Sequence, residues 1–399
     1  MSNDIVTQWL NLPYTMVQEV INYPNYTELL VKRTHPMLCC SHCGQLCFDR
    51  YDRTRQRIRD LDAFEMHTYL ILDKWRVHCP ACGVRVEELG FAAPYSRYTL
   101  RFEDFVARLC EHMPLANVAD LLGMDWKTVK EIDKRALERE FANPDYSSLR
   151  LLAIDEISYK KHHKYLTLVL DLERTSVVWV GKGRRQATLE AFFNEIGTEA
   201  AKSIEAIAID MWDAYIAAIK ARAPQAAIVF DKFHVIRNYS KVIDRVRLDE
   251  FRKAEKEEKS VLKGTKYLLL KNRENLTEEQ EPRLDRLLIL NKNLNVVYVL
   301  KDDLKRLWDC EDQREAIRFL DEWIQTTEES GIEALKDFAK TISHYSYGLL
   351  NHCEHPINTG KLEGLNNKIK VIKRRCYGFH DLDYFTLKIK QAAPRSRSP

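Results

Sequence analysis

Three carboxylates stand where this chain could carry out phosphoryl chemistry. Leu151-Leu-Ala-Ile154 ends at Asp155, Ile204-Glu-Ala-Ile-Ala-Ile209 ends at Asp210, and far downstream Glu363 lies in Asn358-Thr-Gly-Lys-Leu-Glu-Gly-Leu-Asn-Asn-Lys-Ile-Lys370. Carboxylates held close together repel unless cations share them, and hard oxygen ligands select Mg2+ or Mn2+. Two such ions would activate an attacking oxygen and steady the leaving oxygen of an in-line transfer. Singly, an aspartate closing an apolar run is an ordinary cap or loop residue, so the fold must single out the pair. Ala226-Ala-Ile-Val-Phe230 ends in the same way at Asp231, and Asp213 stands one helical turn past Asp210. Both stay open as alternatives for the second acid.

The apolar runs fit buried strands of a mostly parallel sheet, whose carboxyl ends are where α/β folds place ligands. Two further runs, 165–170 and 177–180, complete an antiparallel meander after the first strand, and helices are expected at 187–195 and 212–222. Strand, strand, strand, helix, strand, helix, strand is the order of the RNase H fold. In that fold an aspartate on the first strand and another after the fourth lie side by side, and Asp155 and Asp210 take those places. Glu363 falls in a helix whose buried stripe is Leu362, Leu365, Ile369 and Ile372, leaving Asn366, Lys370, Lys373 and Arg374 to face DNA. From Lys361 onward ten Lys/Arg stand against three Asp/Glu, a local charge of +7 in a chain whose net charge is +3. On the meander, Lys160, Lys161, Lys164, Lys182, Arg184 and Arg185 are further candidates for phosphate contacts.

Six of the ten cysteines precede residue 83, and four of them stand in ordered pairs. Cys40-x2-Cys43 and Cys79-x2-Cys82 are each followed by glycine, Gly44 and Gly83, whose backbone freedom lets both thiolates of a knuckle face one tetrahedral ion. The aromatic and β-branched segment 65–77 suits a hairpin arm of a zinc ribbon. Four thiolates close the coordination shell, which makes the expected Zn2+ structural. Cys39, Cys47, His42 and His78 leave the ligand set open.

Residues 115–135 have the spacing of a helix-turn-helix. Ala119 is the small residue where the helices cross, Gly123 the turn, Asp125 the N-cap, and Val129 with Ile132 the core face of the second helix. Trp126, Lys127, Thr128 and Lys130 would then meet the major groove of double-stranded DNA, with Arg97, Arg101 and Arg108 either as neighbouring phosphate contacts or simply a solvated face. The alternative is a purely structural helix pair.

At 399 residues, 45% hydrophobic and 30% charged, the chain reads as a soluble multidomain protein. Its longest apolar stretches, 166–170 and 204–209, are far shorter than the ~18–20 residues that span a bilayer, so no membrane partner is expected. The first residues lack the basic and apolar regions of a secretory signal, which predicts a cytoplasmic location.

Together these segments resemble the DDE transposases of the ISL3 insertion-sequence family, over nearly the whole chain. The motifs that carry the likeness, in the family's order, are Arg76-Val-His-Cys-Pro-Ala-Cys-Gly83, the helix-turn-helix, Ala153-Ile-Asp-Glu156, Ala208-Ile-Asp-Met-Trp-Asp-Ala-Tyr215, Ile228-Val-Phe-Asp-Lys-Phe-His-Val235 and Leu362-Glu-Gly-Leu-Asn-Asn-Lys-Ile-Lys370. The last three are the specific ones. The resemblance implies that Asp155, Asp210 and Glu363 are the catalytic, magnesium-binding triad, with Asp231 and His234 in support. It also implies a helical insertion between His234 and Glu363, and residues 242–267, 279–290, 294–308, 314–326 and 332–341 do carry helical periodicity. Trp308 and Trp323 are expected in its core, and His352, Cys353 and His355 in a loop.

The expected architecture is therefore a multidomain α/β chain whose RNase H-like catalytic core is interrupted by an all-α insertion and preceded by a zinc ribbon and a helix-turn-helix. Its boundaries are 1–95 for the segment with the ribbon, 96–145 for the helix-turn-helix, 146–240 for the first part of the core, 241–345 for the insertion, and 346–399 for the rest of the core with a basic tail. The implied activity is divalent-metal-dependent cleavage and strand transfer at terminal inverted repeats and target DNA, by a homodimer or higher oligomer, in a bacterial cytoplasm and on the nucleoid when DNA is bound. Two rivals remain: a domesticated DNA-binding regulator without recombinase activity, which loss of an acid would favour although none is lost, and a nuclease that cuts without joining.

Overall fold

The computed structural model describes residues 3–160, 164–376 and 380–393, and the chain divides at Asn143 and Pro144 into two compact units. The first begins with helix α1 (Asn3–Leu10) and strands β1 (Thr15–Asn22), β2 (Tyr26–Arg33), β3 (Leu38–Cys40), β4 (Leu46–Cys47), β5 (Arg50–Arg59), β6 (His67–Cys79) and β7 (Gly83–Glu88). These form one seven-stranded sheet in the order β1-β2-β6-β7-β3-β4, with β5 also on β6. Strand β6, 13 residues long, organises it: β5 pairs along it, β2 pairs near its start and β7 near its end. The expected hairpin arm at 65–77 is thus the central strand of a larger sheet. The two amino-terminal strands extend that sheet beyond the expected ribbon.

Three helices complete this unit: α2 (Leu100–His112), α3 (Leu115–Leu122) and α4 (Trp126–Glu140). Gly123 ends α3 at φ 59°, ψ 43°, a left-handed geometry that suits glycine, and Asp125 caps α4 by accepting a hydrogen bond from the Lys127 amide. Phe102, Val106, Val118, Ala119, Val129 and Ile132 form the apolar centre of the three helices. The wholly buried Glu103 on α2 is held by Arg135 and Arg139 of α4. Removing both partners would leave a buried carboxylate unpaired, at a cost of about 3–5 kcal/mol.

The second unit begins with β8 (Leu151–Lys160), β9 (Lys164–Asp171), β10 (Ser176–Lys182), helix α5 (Gln186–Lys202), β11 (Ala206–Ile209), α6 (Asp213–Arg222) and β12 (Ala227–Phe230). The five strands run β10-β9-β8-β11-β12, the first two pairings antiparallel and the last two parallel. Helices follow: α7 (Lys232–Lys253), α8 (Lys256–Leu262), α9 (Lys266–Leu270), α10 (Gln280–Leu290), α11 (Lys292–Leu304), α12 (Gln313–Glu329), α13 (Glu333–His344), α14 (Ser346–Leu350), α15 (Gly360–Arg375) and α16 (Leu382–Ala392). Strand β8 does not stop at Asp155 as the apolar run suggested. It continues to Lys160 because β9 pairs with it that far.

The sheet separates two apolar layers. Leu152, Ile154, Ile207 and Ile209 face α5, α6 and the long helical segment, in one continuous core that also holds Tyr239, Leu294 and Trp323. Ala153, Leu168 and Ala208 face α15 and α16. The helices between β12 and α15 therefore share the sheet's core, and α7 passes unbroken through the boundary expected at 240. Gly348 lets α14 lie against β12, since a Cβ there would fall 2.3 Å from the Phe230 ring. Trp323 is buried in this core, as expected, and Trp308 packs against it. Among the described residues no helix is long and apolar enough to cross a membrane.

Candidate active site

The strand registers align three aspartates. Ala153 of β8 pairs with Ala208 of β11, and Ile209 of β11 pairs with Phe230 of β12. Extending each register puts Asp155, Asp210 and Asp231 in one row across three parallel strands, and the Asp231 amide does donate to the Ile209 carbonyl at 3.1 Å. Side chains alternate along a strand. Asp155 and Asp210, each two residues beyond an alanine packed under α15 and α16, therefore share that face.

Helix α15 brings Glu363 and Asn366 onto the same side, one turn apart. Asp155, Asp231, His234, Thr359, Glu363 and Asn366 line one cleft of about 890 Å3, together with the cations Arg237, Lys370, Lys373 and Arg374. Asn366 donates its amide nitrogen to Asp155 Oδ2, so a residue expected to face DNA is turned to an acid instead. Its own Oδ1 is buried without a partner. Lys373 donates to the Ser158 carbonyl at 3.0 Å and Lys370 to Asn367 at 3.4 Å, while Arg374 is exposed.

The acids differ in their surroundings. Burial pushes the Asp155 carboxyl above its ordinary range, against the Glu156 amide, the His234 charge and the Asn366 amide, which favour ionisation. Burial also acts on Asp231, but His234, Thr359 and the Phe233 amide outweigh it and hold that carboxyl below its ordinary range. His234 Nδ1 lies 3.2 Å from Asp231 Oδ2, an ion-pair distance without hydrogen-bond alignment. Burial pulls the imidazole down, and Asp231, Asp210 and Asp155 more than reverse this, so it favours the charged form. Asp210 accepts from the Met211 amide at 2.7 Å. Asp213 is exposed and accepts from the Tyr345 hydroxyl at 2.8 Å.

On the opposite face of β8, Glu156 has a polar network of its own. The Tyr215 hydroxyl bonds Thr167 at 2.7 Å and also Glu156, and Arg184 lies 3.7 Å from the Glu156 carboxylate. Arg184 is itself stacked over Tyr165 and Trp212 at 4.4 and 5.0 Å, which occupies a side chain expected to contact phosphate. Lys161 lies outside the described residues.

In the first unit Cys40, Cys43, Cys79 and Cys82 come together, their ligand atoms all within 4.8 Å of one another. The Cys43 and Cys79 sulfurs are 3.6 Å apart, close to the ~3.8 Å edge of a tetrahedron with Zn–S of about 2.3 Å. Burial raises the Cys79 thiol, but the Ala81 and Cys82 amides and the Cys43 and Cys40 side chains bring it below its ordinary range, toward the thiolate a metal needs. Gly44 and Gly83 take φ of 70° and 71° to close the two knuckles. Among the described residues this quartet is the one group of three or more such ligand atoms drawn so close. The carboxylates of the second unit are not gathered to the same degree.

At the start of α4, Trp126 and Lys127 are exposed, while Thr128 and Lys130 are half-buried. Arg101, a candidate phosphate contact, is instead turned inward: its guanidinium is held by the buried Asp60 and the Leu10 carbonyl, which braces the helices against the sheet. Sequence reasoning did not foresee Thr359, whose hydroxyl donates to Asp231 at 2.7 Å, or the bond from Asn366 to Asp155. The three-residue step from Glu363 to Asn366 was the available signal for the second. Thr359, 128 positions from its partner, offered none.

Known proteins match in the same order as these parts. Residues 152–389 match an ISL3 family described as a transposase, residues 87–137 the helix-turn-helix domain of transposase family ISL3, and residues 38–82 the zinc finger of transposases of IS204, IS1001, IS1096 and IS1165. A transposase for insertion sequence element IS1001 from Bordetella parapertussis is 41% identical over 371 residues, covering 92% of this chain and 91% of the relative. A transposase for IS1557 from Mycobacterium tuberculosis is 30% identical over 366 residues, covering 85% and 82%. The likeness thus spans the zinc ribbon, the helix-turn-helix and the α/β unit alike, and the chain belongs to the ISL3 family of insertion-sequence transposases.

Proposed function

We propose that this transposase binds the terminal inverted repeats of its own insertion sequence and catalyses divalent-metal-dependent DNA cleavage and strand transfer. The observation that carries this reading is the row of Asp155, Asp210 and Asp231 on the sheet face covered by the Glu363 helix. The strand order, with two antiparallel and two parallel pairings, supports an RNase H-like core, and the helices between β12 and α15 are read as its all-α insertion.

Asp155, Asp210 and Glu363 are the residues that would hold Mg2+ or Mn2+. The unpartnered Asn366 oxygen and the Asp155 carboxylate, which burial still pushes above its ordinary range, fit a site that takes a hard cation. Two ions there would supply activation of the attacking oxygen and stabilisation of the leaving one. Asn366 orients Asp155, and the Asp231–His234 pair with Thr359 holds the start of α7 against the start of α15. Lys370 and Arg374 line the cleft where a DNA backbone would pass. Trp126, Lys127, Thr128 and Lys130 are read as the groove-facing residues of α4, and the quartet Cys40, Cys43, Cys79 and Cys82 as a structural zinc site. Joining two element ends requires a dimer or larger assembly on DNA.

The test is a strand-transfer assay with the full chain, a labelled duplex carrying the element end, a target plasmid and Mg2+ or Mn2+. Joined products are expected. Sequence-specific binding without cutting would leave a DNA-binding regulator, and cutting without joining a nuclease.

A further inference from the structure

A groove of about 820 Å3 runs across the amino-terminal sheet; the four thiolates do not line it, although Trp75 on its wall packs against their apolar cluster. Strand β5 contributes Arg50, Arg53 and Arg55 to it, β2 contributes Lys32, and β6 contributes Asp73 and Trp75. Arg53 and Arg55 are alternate residues of one strand. Both therefore project from the same face, about 7 Å apart at roughly 3.4 Å per residue, opposite Trp75 and Asp73 on β6.

Both guanidiniums turn to one carboxylate: Arg53 lies 3.0 Å and Arg55 3.7 Å from Asp73. One negative charge cannot neutralise two cations. The arginine side chains are 61% and 68% exposed and the aspartate 34%, so the surplus charge faces solvent. Arg50 and Arg53 also lie over the Trp75 ring at 4.9 and 5.6 Å, which restrains their planes. Arg33 lines the groove too but is taken up by the buried Glu87. The remaining four cations meet two acids, Asp73 and Glu88. Restrained, exposed guanidiniums in excess over carboxylates, set on a sheet, match a regular array of phosphates.

We propose that this groove is a second DNA-binding surface, which holds the phosphate backbone of duplex DNA without regard to sequence, with Arg53 and Arg55 as its principal contacts. The inference rests on the reading that the chain works on DNA and assigns a division of labour within it. Helix α4 supplies sequence, and the arginine groove supplies affinity and register.

The test is a fluorescence-anisotropy titration of the full, zinc-loaded chain on two duplexes, one with the element end and one scrambled, from 50 to 200 mM salt. Arg53→Ala with Arg55→Ala is expected to weaken binding to both duplexes by a similar factor. The slope of log affinity against log salt should fall by about 2, shrinking the affinity ratio across that salt range roughly tenfold. Arg53→Lys with Arg55→Lys should restore most of the slope. If the double alanine variant loses zinc or its melting transition, Arg55→Gln is measured instead, with a slope change of about 1 expected, because among the described residues the ion pair it gives up is the 3.7 Å one with Asp73. A folded variant with unchanged affinity and slope overturns the proposal, as does a loss confined to the element end. Failure of the functional reading is seen separately, as wild-type protein that shows no preference for the element end and joins no DNA. The slope on the scrambled duplex decides the groove in either case.

Discussion

Asn366 donates its side-chain amide to the carboxylate of Asp155, 211 positions earlier in the chain, while its own carbonyl oxygen is buried with no partner. One amide thus joins helix α15 to strand β8 and leaves an acceptor unsatisfied in a cleft lined by Asp155, Asp231 and Glu363. A buried carbonyl oxygen without a donor costs about 1–3 kcal/mol. A cation in the cleft would offset that cost, which links the metal to the helix that carries Glu363.

Asn366→Ala should accordingly lower metal-dependent cleavage about 10- to 100-fold, the range found when a group that orients a metal ligand is removed. The loss should shrink at higher Mn2+ concentration, since the acids remain. A Mg2+ and Mn2+ titration of cleavage rate checks this. Unchanged cleavage at limiting metal would show that Asn366 only packs.

The zinc quartet leads to a second prediction. Cys47 is buried beside the four ligands but bonds the Gln45 carbonyl at 3.4 Å, and burial with Cys79, Cys40 and Cys43 pushes its thiol up to about 11. Cys43→Ser should therefore release the metal, whereas Cys47→Ser should keep about one zinc per chain. The apolar cluster around the site, Leu38, Val77 and the buried cysteines, is small. Zinc, worth about 10–16 kcal/mol in isolated fingers, is expected to hold this part folded. Atomic absorption with thermal melting of the two variants decides it, and zinc retained by Cys43→Ser would reassign the ligand set.

Much of the site was legible because it follows local rules. Asp155, Asp210 and Asp231 each follow an apolar run, and parallel register turns that repetition into a row. Gly123, Asp125 and Ala119 announced the helix-turn-helix through turn, cap and crossing chemistry. Long-range pairing was less legible. Strands β1 and β2 carry a mixed burial pattern, and β2 finds its place only by lying parallel to β6. The run of β8 past Asp155 depends on β9, and the engagement of Arg101 on the buried Asp60, 41 positions away, carries no sequence period. Core sharing between the sheet and helices α7 to α13 is a tertiary fact, which helical periodicity alone does not contain.

Lys301 offers a pH test away from the acids. It is 1% exposed on α11, and its ammonium donates to the Lys271 carbonyl at 2.7 Å and the Leu269 carbonyl at 3.3 Å, beside the Tyr298 ring. Burial pulls its pKa from 10.5 down to about 8, against the opposing charge of Asp302. Between those two pH values the unfolded chain binds a proton that the folded chain has shed, so this group makes stability rise with pH across the window and removes that gain as pH falls through 8. Lys301→Met has no amine to titrate. The wild-type melting temperature should gain on that of the variant between pH 8 and 10.5, and a constant difference would mean that the carbonyls keep the amine charged.

The second acid is the most consequential assignment, and its three candidates differ in their surroundings. Asp210 stands between Asp155 and Asp231 in the extended register, and its carboxylate accepts from the neighbouring Met211 amide. Asp213 is engaged by the Tyr345 hydroxyl, and Asp231 by Thr359, His234 and the Phe233 amide at the start of α7. Asp210→Asn should therefore reduce metal-dependent cleavage by about 10²–10³-fold or more, with duplex binding and melting temperature unchanged. Asp213→Asn should cleave within a few-fold of wild type. Asp231→Ala should show a stability loss of roughly 0.5–2 kcal/mol from the lost cap, in addition to any loss of rate. Cleavage retained by Asp210→Asn in Mn2+ would remove it from the triad and pass the role to Asp231, whose carboxyl is held below its ordinary range by His234 and Thr359 and lines the same cleft as Glu363.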